Sequence, residues 1–284
     1  MVRATFDLGP GLSVTRLGFG AGRITGPGYW GPPADRDTAV AVLRQAVAAG
    51  VTLIDTADNY GPGVSEELIA SALHPYPAEV VIATKGGVVR TGPDQWHLAG
   101  RPEQLRAACE ASLRRLRLDC LPLYQLHRVD PAVGLADQLG TLLELRAAGK
   151  IQHIGLDTIT ADQLRQAMAL APISAVQNHY SVAHRADEDV LWLCERNGLA
   201  FLPYLPLAGG ALSRSPELSR LLGEIASAHG ATVNQIALAW LLHRSPVMLP
   251  TPGTTTPAFL AENLAAAGIS LSDNEIDRIT SARP

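Results

Sequence analysis

Four residues set the chemistry this chain can attempt. The stretch VTLIDTADNYGPG, residues 51–63, ends an apolar run in Asp55 and places Tyr60 five residues later. VVIATK, residues 80–85, ends in Lys85, and LYQLH, residues 123–127, ends in His127. Singly, each has an ordinary explanation: a helix cap, a lysine reaching solvent, a hydrogen-bonded core histidine. Together they are costly to bury unless they pair. Free tyrosine titrates near about 10, and a neighbouring ammonium favours the phenolate and lowers that value. Lys85 can do this while Asp55 holds it charged and oriented. Tyr60 then serves as a general acid toward a developing alkoxide. His127, as a neutral donor, can bond a carbonyl oxygen. The set calls for no metal and no Ser or Cys nucleophile. It suits carbonyl reduction by hydride, which no side chain donates, so a nicotinamide cofactor is implied.

The elements between these residues explain how they could meet. Short, non-alternating apolar stretches read as parallel strands covered on both faces. They lie at about 16–20, 51–55, 80–84, 121–127, 151–156, 173–178, 199–204 and 247–250. Amphipathic helices alternate with them. Val40, Leu43 and Val47 mark one apolar face, and Leu105, Cys109, Leu113 and Leu116 another; Gly50 and Gly149 are helix stops, and Thr160 is an N-cap. Eight such units with no linker predict a (β/α)8 TIM barrel, a single domain over 1–284, with a short N-terminal β-hairpin and extra C-terminal helices. A doubly wound sheet is the alternative, but GFGAGRITG matches its phosphate-binding turn poorly. In a barrel, chemistry sits at the C-terminal strand ends, where Gln177, Asn178 and Tyr204 join the first four residues.

Composition narrows the setting. The chain has 284 residues, 47% hydrophobic and 18% charged, with a net charge of −4. That balance gives no reason to expect nucleic-acid or membrane partners. Cys109, Cys120 and Cys194 lack metal-ligand spacing and read as buried thiols in a reducing compartment. There is no apolar h-region and no run of 18 apolar residues. A cytoplasmic enzyme acting on small molecules is expected. The oligomeric state is open, with a monomer among the options.

LIDTADNYG, VVIATKGG, LPLYQLHRVDP, GKIQHIGL, VQNHYS, PYLPLAGG and LPTPGTTTPAFLAENLAA together resemble the aldo-keto reductase superfamily, in order, from about residue 15 to 268. The resemblance implies an Asp55, Tyr60, Lys85, His127 tetrad. It implies cofactor contacts at Gly22 and Asp55, at Thr158 and Gln177 toward the carboxamide, and at Tyr204 against the nicotinamide face. Leu205, Leu207 and Gly209 would line the pyrophosphate. Gly253, Thr254 and Thr255 would take the adenosine phosphate, and Glu262 and Asn263 the adenine. Thr256 and Pro257 open the helix behind that loop, whose free N–H groups suit an anion.

The chain also departs from the family pattern. Asp157-Thr158 stands where Ser-Asn is usual, and Leu205 where Ser is common. Residues 250–263 hold no Lys or Arg for a 2′-phosphate. NADPH is the expected cofactor and NADH the alternative. Tyr29, Trp30 and Trp96 would line the substrate side with Tyr60 and His127. GAGRITGPGYWGPPADRDTAVAVLRQAV is similar to a bacterial subgroup that includes pyridoxal reductases (pyridoxine 4-dehydrogenases), which makes pyridoxal or another aromatic aldehyde the first substrate to test. Two rival readings are a metal-dependent barrel hydrolase using Asp55, Asp58 and His127, and a nucleotide-binding subunit without turnover.

Overall fold

The computed structural model describes residues 4–210, 212 and 215–282. The chain opens with an antiparallel hairpin, β1 (Thr5–Gly9) and β2 (Leu12–Thr15). A curled parallel sheet follows: β3 (Phe19–Gly20), β4 (Leu53–Asp55) and β5 (Val81–Gly86). A second hairpin, β6 (Val88–Gly92) and β7 (Gln95–Leu98), interrupts it. The sheet resumes with β8 (Leu121–Leu126), β9 (Ile151–Asp157), β10 (Ile173–His179) and β11 (Ala200–Tyr204). Between strands run α1 (Arg36–Ala48), α2 (Val64–Leu73), α3 (Pro102–Leu116), α4 (Leu135–Ala147), α5 (Ala161–Leu170) and α6 (Glu188–Asn197). After β11 come α7 (Pro216–His229), α8 (Val233–Arg244), α9 (Pro257–Ala265) and α10 (Asp273–Ser281).

The expected eighth strand, 247–250, closes the barrel without forming a regular ladder. Phe201 N donates to Val247 O and Leu249 N to Phe201 O, each at 2.8 Å. On the other side, Gly18 N donates to Pro250 O at 3.0 Å and Gly20 N to Pro252 O at 3.4 Å. Both edges of the sheet therefore meet this segment, and the (β/α)8 expectation is met. Pro250 and Pro252 have no N–H, so the segment accepts from the β3 side at those positions but cannot return a bond. That is why pairing here falls short of a strand.

Strand parity separates two cores. Inward residues Leu53, Val81, Ala83, Leu123, Ala175, Ala200, Leu202 and Leu249 pack with Leu8, Leu12 and Val14 of the hairpin. The hairpin thus plugs the barrel and leaves the opposite, C-terminal end free for polar groups. Outward residues such as Ile54, Ile82, Tyr124, Ile154, Val176 and Phe201 pack against the helices.

Local expectations held unevenly. Thr160 caps α5, accepting from Gln163 N at 3.2 Å, and Leu105, Cys109, Leu113 and Leu116 are buried together on α3. On α1 the buried face is Ala39, Val42, Leu43 and Ala46, while Val40 and Val47 are only half-buried. The alanines carry that face because the helix lies close to its neighbour. The β6–β7 hairpin lies outside the eight expected strands. Cys109 and Cys194 are buried, and Cys120 is half-buried.

The seam is locked by Arg16. Its buried guanidinium donates to Leu242 O at 2.8 Å, to Met248 O at 3.1 and 3.2 Å, and to Ser245 O. Burial pulls its pKa down to about 10. Arg16→Met orphans three buried carbonyls and is expected to cost about 3 kcal/mol or more. Urea unfolding measures this; a loss below about 1 kcal/mol would show that the seam holds without it.

Candidate active site

The register sets three polar tiers at the open end of the barrel. Asp55 lies beside Gly20 and Ala83, Lys85 beside Gln125, and Asp157 beside Gln177. Asp55 and Lys85 point inward from neighbouring strands and pair, Lys85 fully buried and Asp55 buried at the edge of the cleft. Lys85 Nζ donates to Asp55 Oδ2 at 2.8 Å, to Oδ1 at 3.0 Å and to Thr56 O at 3.0 Å. Gln125 Nε2 adds a bond to Asp55 Oδ1 at 3.2 Å. Gly155 makes that reach possible: a Cβ there would meet Gln125 Cγ at 2.7 Å. Burial alone would discharge Lys85, but Asp55, Tyr60 and Asp157 outweigh it and raise its pKa, so the ammonium persists.

Tyr60 lies beside this pair, with Lys85 Nζ 5.4 Å from its ring centroid and His127 edge-on at 6.1 Å. Here the sequence-based expectation needs correction. Lys85 does pull the Tyr60 pKa down, but burial pushes it up more strongly, aided by Asp55 and Asp157. The net shift is upward, and Tyr60 is held as a phenol. Tyr29 stacks on the Tyr60 ring at 5.5 Å.

His127 is buried, and burial with Lys85 and Arg128 pushes its pKa well below the usual imidazole value. It is therefore neutral, as expected. Asn59 Nδ2 lies 3.1 Å from His127 Nδ1, and Asp157 Oδ2 lies 3.9 Å from His127 Nε2. Asp157 is buried, and that burial pushes its carboxyl up to about 7 against the pull of Lys85 and the Thr158 hydrogen bond. Asp58 points elsewhere: burial and Glu66 raise its pKa, and its carboxylate does not line the site. Among the described residues, no three His, Cys, Asp or Glu side chains are grouped as metal ligands would be.

A cleft of about 1200 Å³ opens over these groups. It brings together Asp55, Tyr60, His127, Gly22, Thr158, Gln177, Tyr204, Leu205, Leu207, Gly209, Gly253, Thr254, Thr255 and Asn263. Lys85 lies beneath its floor, fully buried. Gln177 Nε2 has no hydrogen-bond partner among the described residues, and as a donor at the cleft wall it fits a carboxamide oxygen. Tyr204 carries His179 stacked on it at 5.2 Å, and His184 stacks on His179 at 3.8 Å, so the tyrosine ring is braced from behind. Gly22 leaves room that a Cβ would close against the Tyr29 and Tyr60 rings, at 2.8 and 3.2 Å. These features fit a flat ring with a carboxamide.

Two groups assigned to the cofactor are hydrogen-bonded within the chain. The Thr158 hydroxyl, expected to reach a carboxamide, donates to Asp157 Oδ1 at 2.7 Å instead. Glu262 does not line the cleft; its carboxylate accepts from Thr232 Oγ1 at 2.7 Å, because α9 turns that side toward α8. Trp30 is also off the cleft wall. It packs on Arg90, whose guanidinium lies between Trp30 at 5.2 Å and Trp96 at 4.1 Å. Arg90 Nη1 donates to Gly28 O at 2.9 Å and to Tyr29 O, tying the β6–β7 hairpin to the loop that carries Tyr29. Trp96 and Tyr29 do line the cleft.

Sequence reasoning missed Asn59, Gln125, Arg23, Arg128, Asn234 and Phe259. Gln125 was legible as the inward residue one step before His127 on its strand; the others sit on loops or helices whose facing the sequence does not fix. Backbone strain marks the same rim. Tyr29, Thr158 and Leu205 all line the cleft with φ of 59°, 53° and 51°, a costly region for side chains larger than glycine.

A barrel with a buried lysine–carboxylate pair under a tyrosine and a neutral histidine fits an oxidoreductase. The comparisons agree. The sequence profile described as "Aldo/keto reductase family" matches residues 16–284, and the chain belongs to that family. It is 42% identical to the pyridoxine 4-dehydrogenase of Escherichia coli K12 over 281 residues, covering 97% of this chain and 96% of that protein. It is 45% identical over 261 residues to an uncharacterized oxidoreductase of Schizosaccharomyces pombe, covering 92% and 84%. The crystal structure of a Klebsiella pneumoniae aldo/keto reductase in complex with NADP and acetate superposes with a TM-score of 0.83 at 30% identity, covering 98% of this chain and 94% of that one.

Asp157 generates a pH prediction. With its folded pKa near 7 and an unfolded value of about 4, folding takes up a proton between those limits. This group's contribution is most favourable below about pH 4 and is lost as pH rises to 7. Asp157→Asn should therefore gain on the parent by roughly 2–3 kcal/mol between pH 5 and pH 8. Urea unfolding at both values tests it; an equal difference at both would mean that Asp157 titrates as an ordinary carboxylate.

Proposed function

We propose that this protein reduces an aldehyde or ketone to the alcohol, reversibly, with NADPH and without a metal, and that pyridoxal or another aromatic aldehyde is its substrate. The buried Lys85–Asp55 pair beneath Tyr60 is the observation that carries this reading. A fixed ammonium next to a phenol stabilises the charge that forms when the phenol gives up its proton.

Hydride is the chemistry that a bound nicotinamide brings. The residues of this chain do the rest. Gln177 offers its free Nε2 to the carboxamide, and Tyr204, braced by His179, presents a flat face to the ring. Leu205, Leu207 and Gly209 line the phosphate path. Thr254 and Thr255 lie before the α9 N-terminus, whose N–H groups favour an anion. Arg23 lines the same cleft, 3.7 Å at its Cβ from where a Gly253 side chain would begin. We assign it the positive charge that residues 250–263 lack.

At the reacting carbon, the His127 N–H bonds the carbonyl oxygen and orients it. Tyr60 delivers its proton to that oxygen as charge develops, and Lys85 offsets the phenolate that remains. Tyr29, stacked on Tyr60, and Trp96, packed on Arg90, present flat faces to the cleft that favour a planar substrate. The E. coli relative named pyridoxine 4-dehydrogenase directs the choice of pyridoxal.

Two measurements test this. Tyr60→Phe should lower turnover by about 10³-fold or more while leaving NADPH affinity within a few-fold; a variant with substantial turnover would remove Tyr60 from the acid role. Fluorescence titration should show tighter binding of NADPH than NADH, followed by turnover of pyridoxal and 4-nitrobenzaldehyde. A preference for NADH would show that Arg23 and the threonines do not grip a 2′-phosphate, and binding without turnover on either aldehyde would favour the non-catalytic nucleotide-binding reading.

A further inference from the structure

We propose that Asn59 is a positioning residue that holds His127 in the tautomer carrying its proton on Nε2, the form able to donate to a carbonyl oxygen. The inference rests on the reading of His127 as the carbonyl donor.

Two contacts fix the tautomer. Asn59 Nδ2 donates to Val88 O at 2.9 Å. A carbonyl oxygen only accepts, so the nitrogen end of the Asn59 amide must face it. The reverse orientation would set two oxygens against each other. The same Nδ2 lies 3.1 Å from His127 Nδ1. Its second hydrogen points there, so Nδ1 must be the lone-pair nitrogen. A neutral imidazole then carries its proton on Nε2.

Neutrality is secured independently, since burial, Lys85 and Arg128 all disfavour the imidazolium. Nε2–H is the end that faces the cleft side of the ring, toward Asp157 Oδ2 at 3.9 Å. Asn59 Oδ1 is buried with no partner among the described residues, and the bond from Nδ2 to Val88 O is what holds the amide in this orientation. Its position is set by the chain: it directly precedes Tyr60, and Val88 opens the hairpin that follows the lysine strand. One amide therefore ties the acid's loop, the β6 strand and the carbonyl donor together.

The test reads the tautomer directly. In protein labelled with 15N-histidine, two-bond proton–nitrogen correlations should show a protonated Nε2 and a bare Nδ1 for His127. A protonated Nδ1 in the parent would overturn the proposal. Asn59→Ala should populate both tautomers and lower kcat for an aldehyde by about tenfold, the cost of roughly one hydrogen bond, with NADPH affinity within about twofold. Asn59→Asp, close in size, can accept from Nδ1–H once ionised and should shift the proton to Nδ1, with a larger loss of kcat that deepens as pH rises. An unchanged tautomer in both variants would overturn the proposal. A shifted tautomer with unchanged kcat would uphold the assignment of Asn59 and locate the error in the role given to His127.

Discussion

The site depends on keeping one ammonium charged in a place with no water. Lys85 is fully buried, and burial alone would strip its proton. Asp55 prevents this by accepting two hydrogen bonds, and Thr56 O accepts the third. All three hydrogens of the ammonium are thus used, which fixes its place under Tyr60. Taking either partner away would leave a lone buried charge, a change that typically costs several kcal/mol. Geometry beyond the pair follows from it. Gln125 reaches across to Asp55, Gly155 gives it room, and Asp157 faces the same ammonium from the next tier.

The barrel serves this pair by being closed at one end and open at the other. The hairpin fills the N-terminal end with leucine and valine, so no solvent reaches the lysine from below. Closure at 247–252 is made by accepting rather than exchanging hydrogen bonds on the β3 side, since prolines occupy that run. Arg16 ties the run that leads into this segment by donating to Leu242 O, Ser245 O and Met248 O. Proline-rich closure also leaves Thr251, Gly253 and Thr254 at the cleft wall, and the contact of Gly20 with that segment is so close that neither Gly20 nor Gly253 has space for a Cβ.

The strands and the four candidate reacting residues were legible because parallel strands buried on both faces must be apolar, so a charged residue at a strand end stands out. Asp55, Lys85 and His127 are inward residues on β4, on β5 and just past β8, and parity alone predicts that they converge. What could not be read was of two kinds. The face of α1 was misjudged because alanines carry it, and periodicity counts large residues more readily than small ones. The orientations of Glu262 and Trp30 depend on partners distant in sequence, Thr232 and Arg90, while the Thr158 hydroxyl turns to its own chain neighbour Asp157 at a strained backbone. The direction of the Tyr60 shift failed for a related reason. The neighbouring charge is visible in the sequence, but the degree of burial that outweighs it is not.

A tyrosine whose pKa was simply lowered would stand partly as phenolate and would serve oxidation, where a base must take the alcohol's proton. Here burial keeps the phenol protonated until charge appears on the substrate oxygen. The lysine then matters at the moment of transfer rather than before it, because a phenolate forming beside a fixed ammonium is stabilised without any rearrangement. Asp157 works in the same sense. Its carboxyl, pushed up to about 7, is largely protonated below neutrality and so adds no charge against a forming alkoxide there. Above neutrality it ionises and opposes negative charge in the cleft. The resting charges of this site are thus a buried ammonium beside a protonated phenol, with Asp157 the group whose charge changes near neutrality.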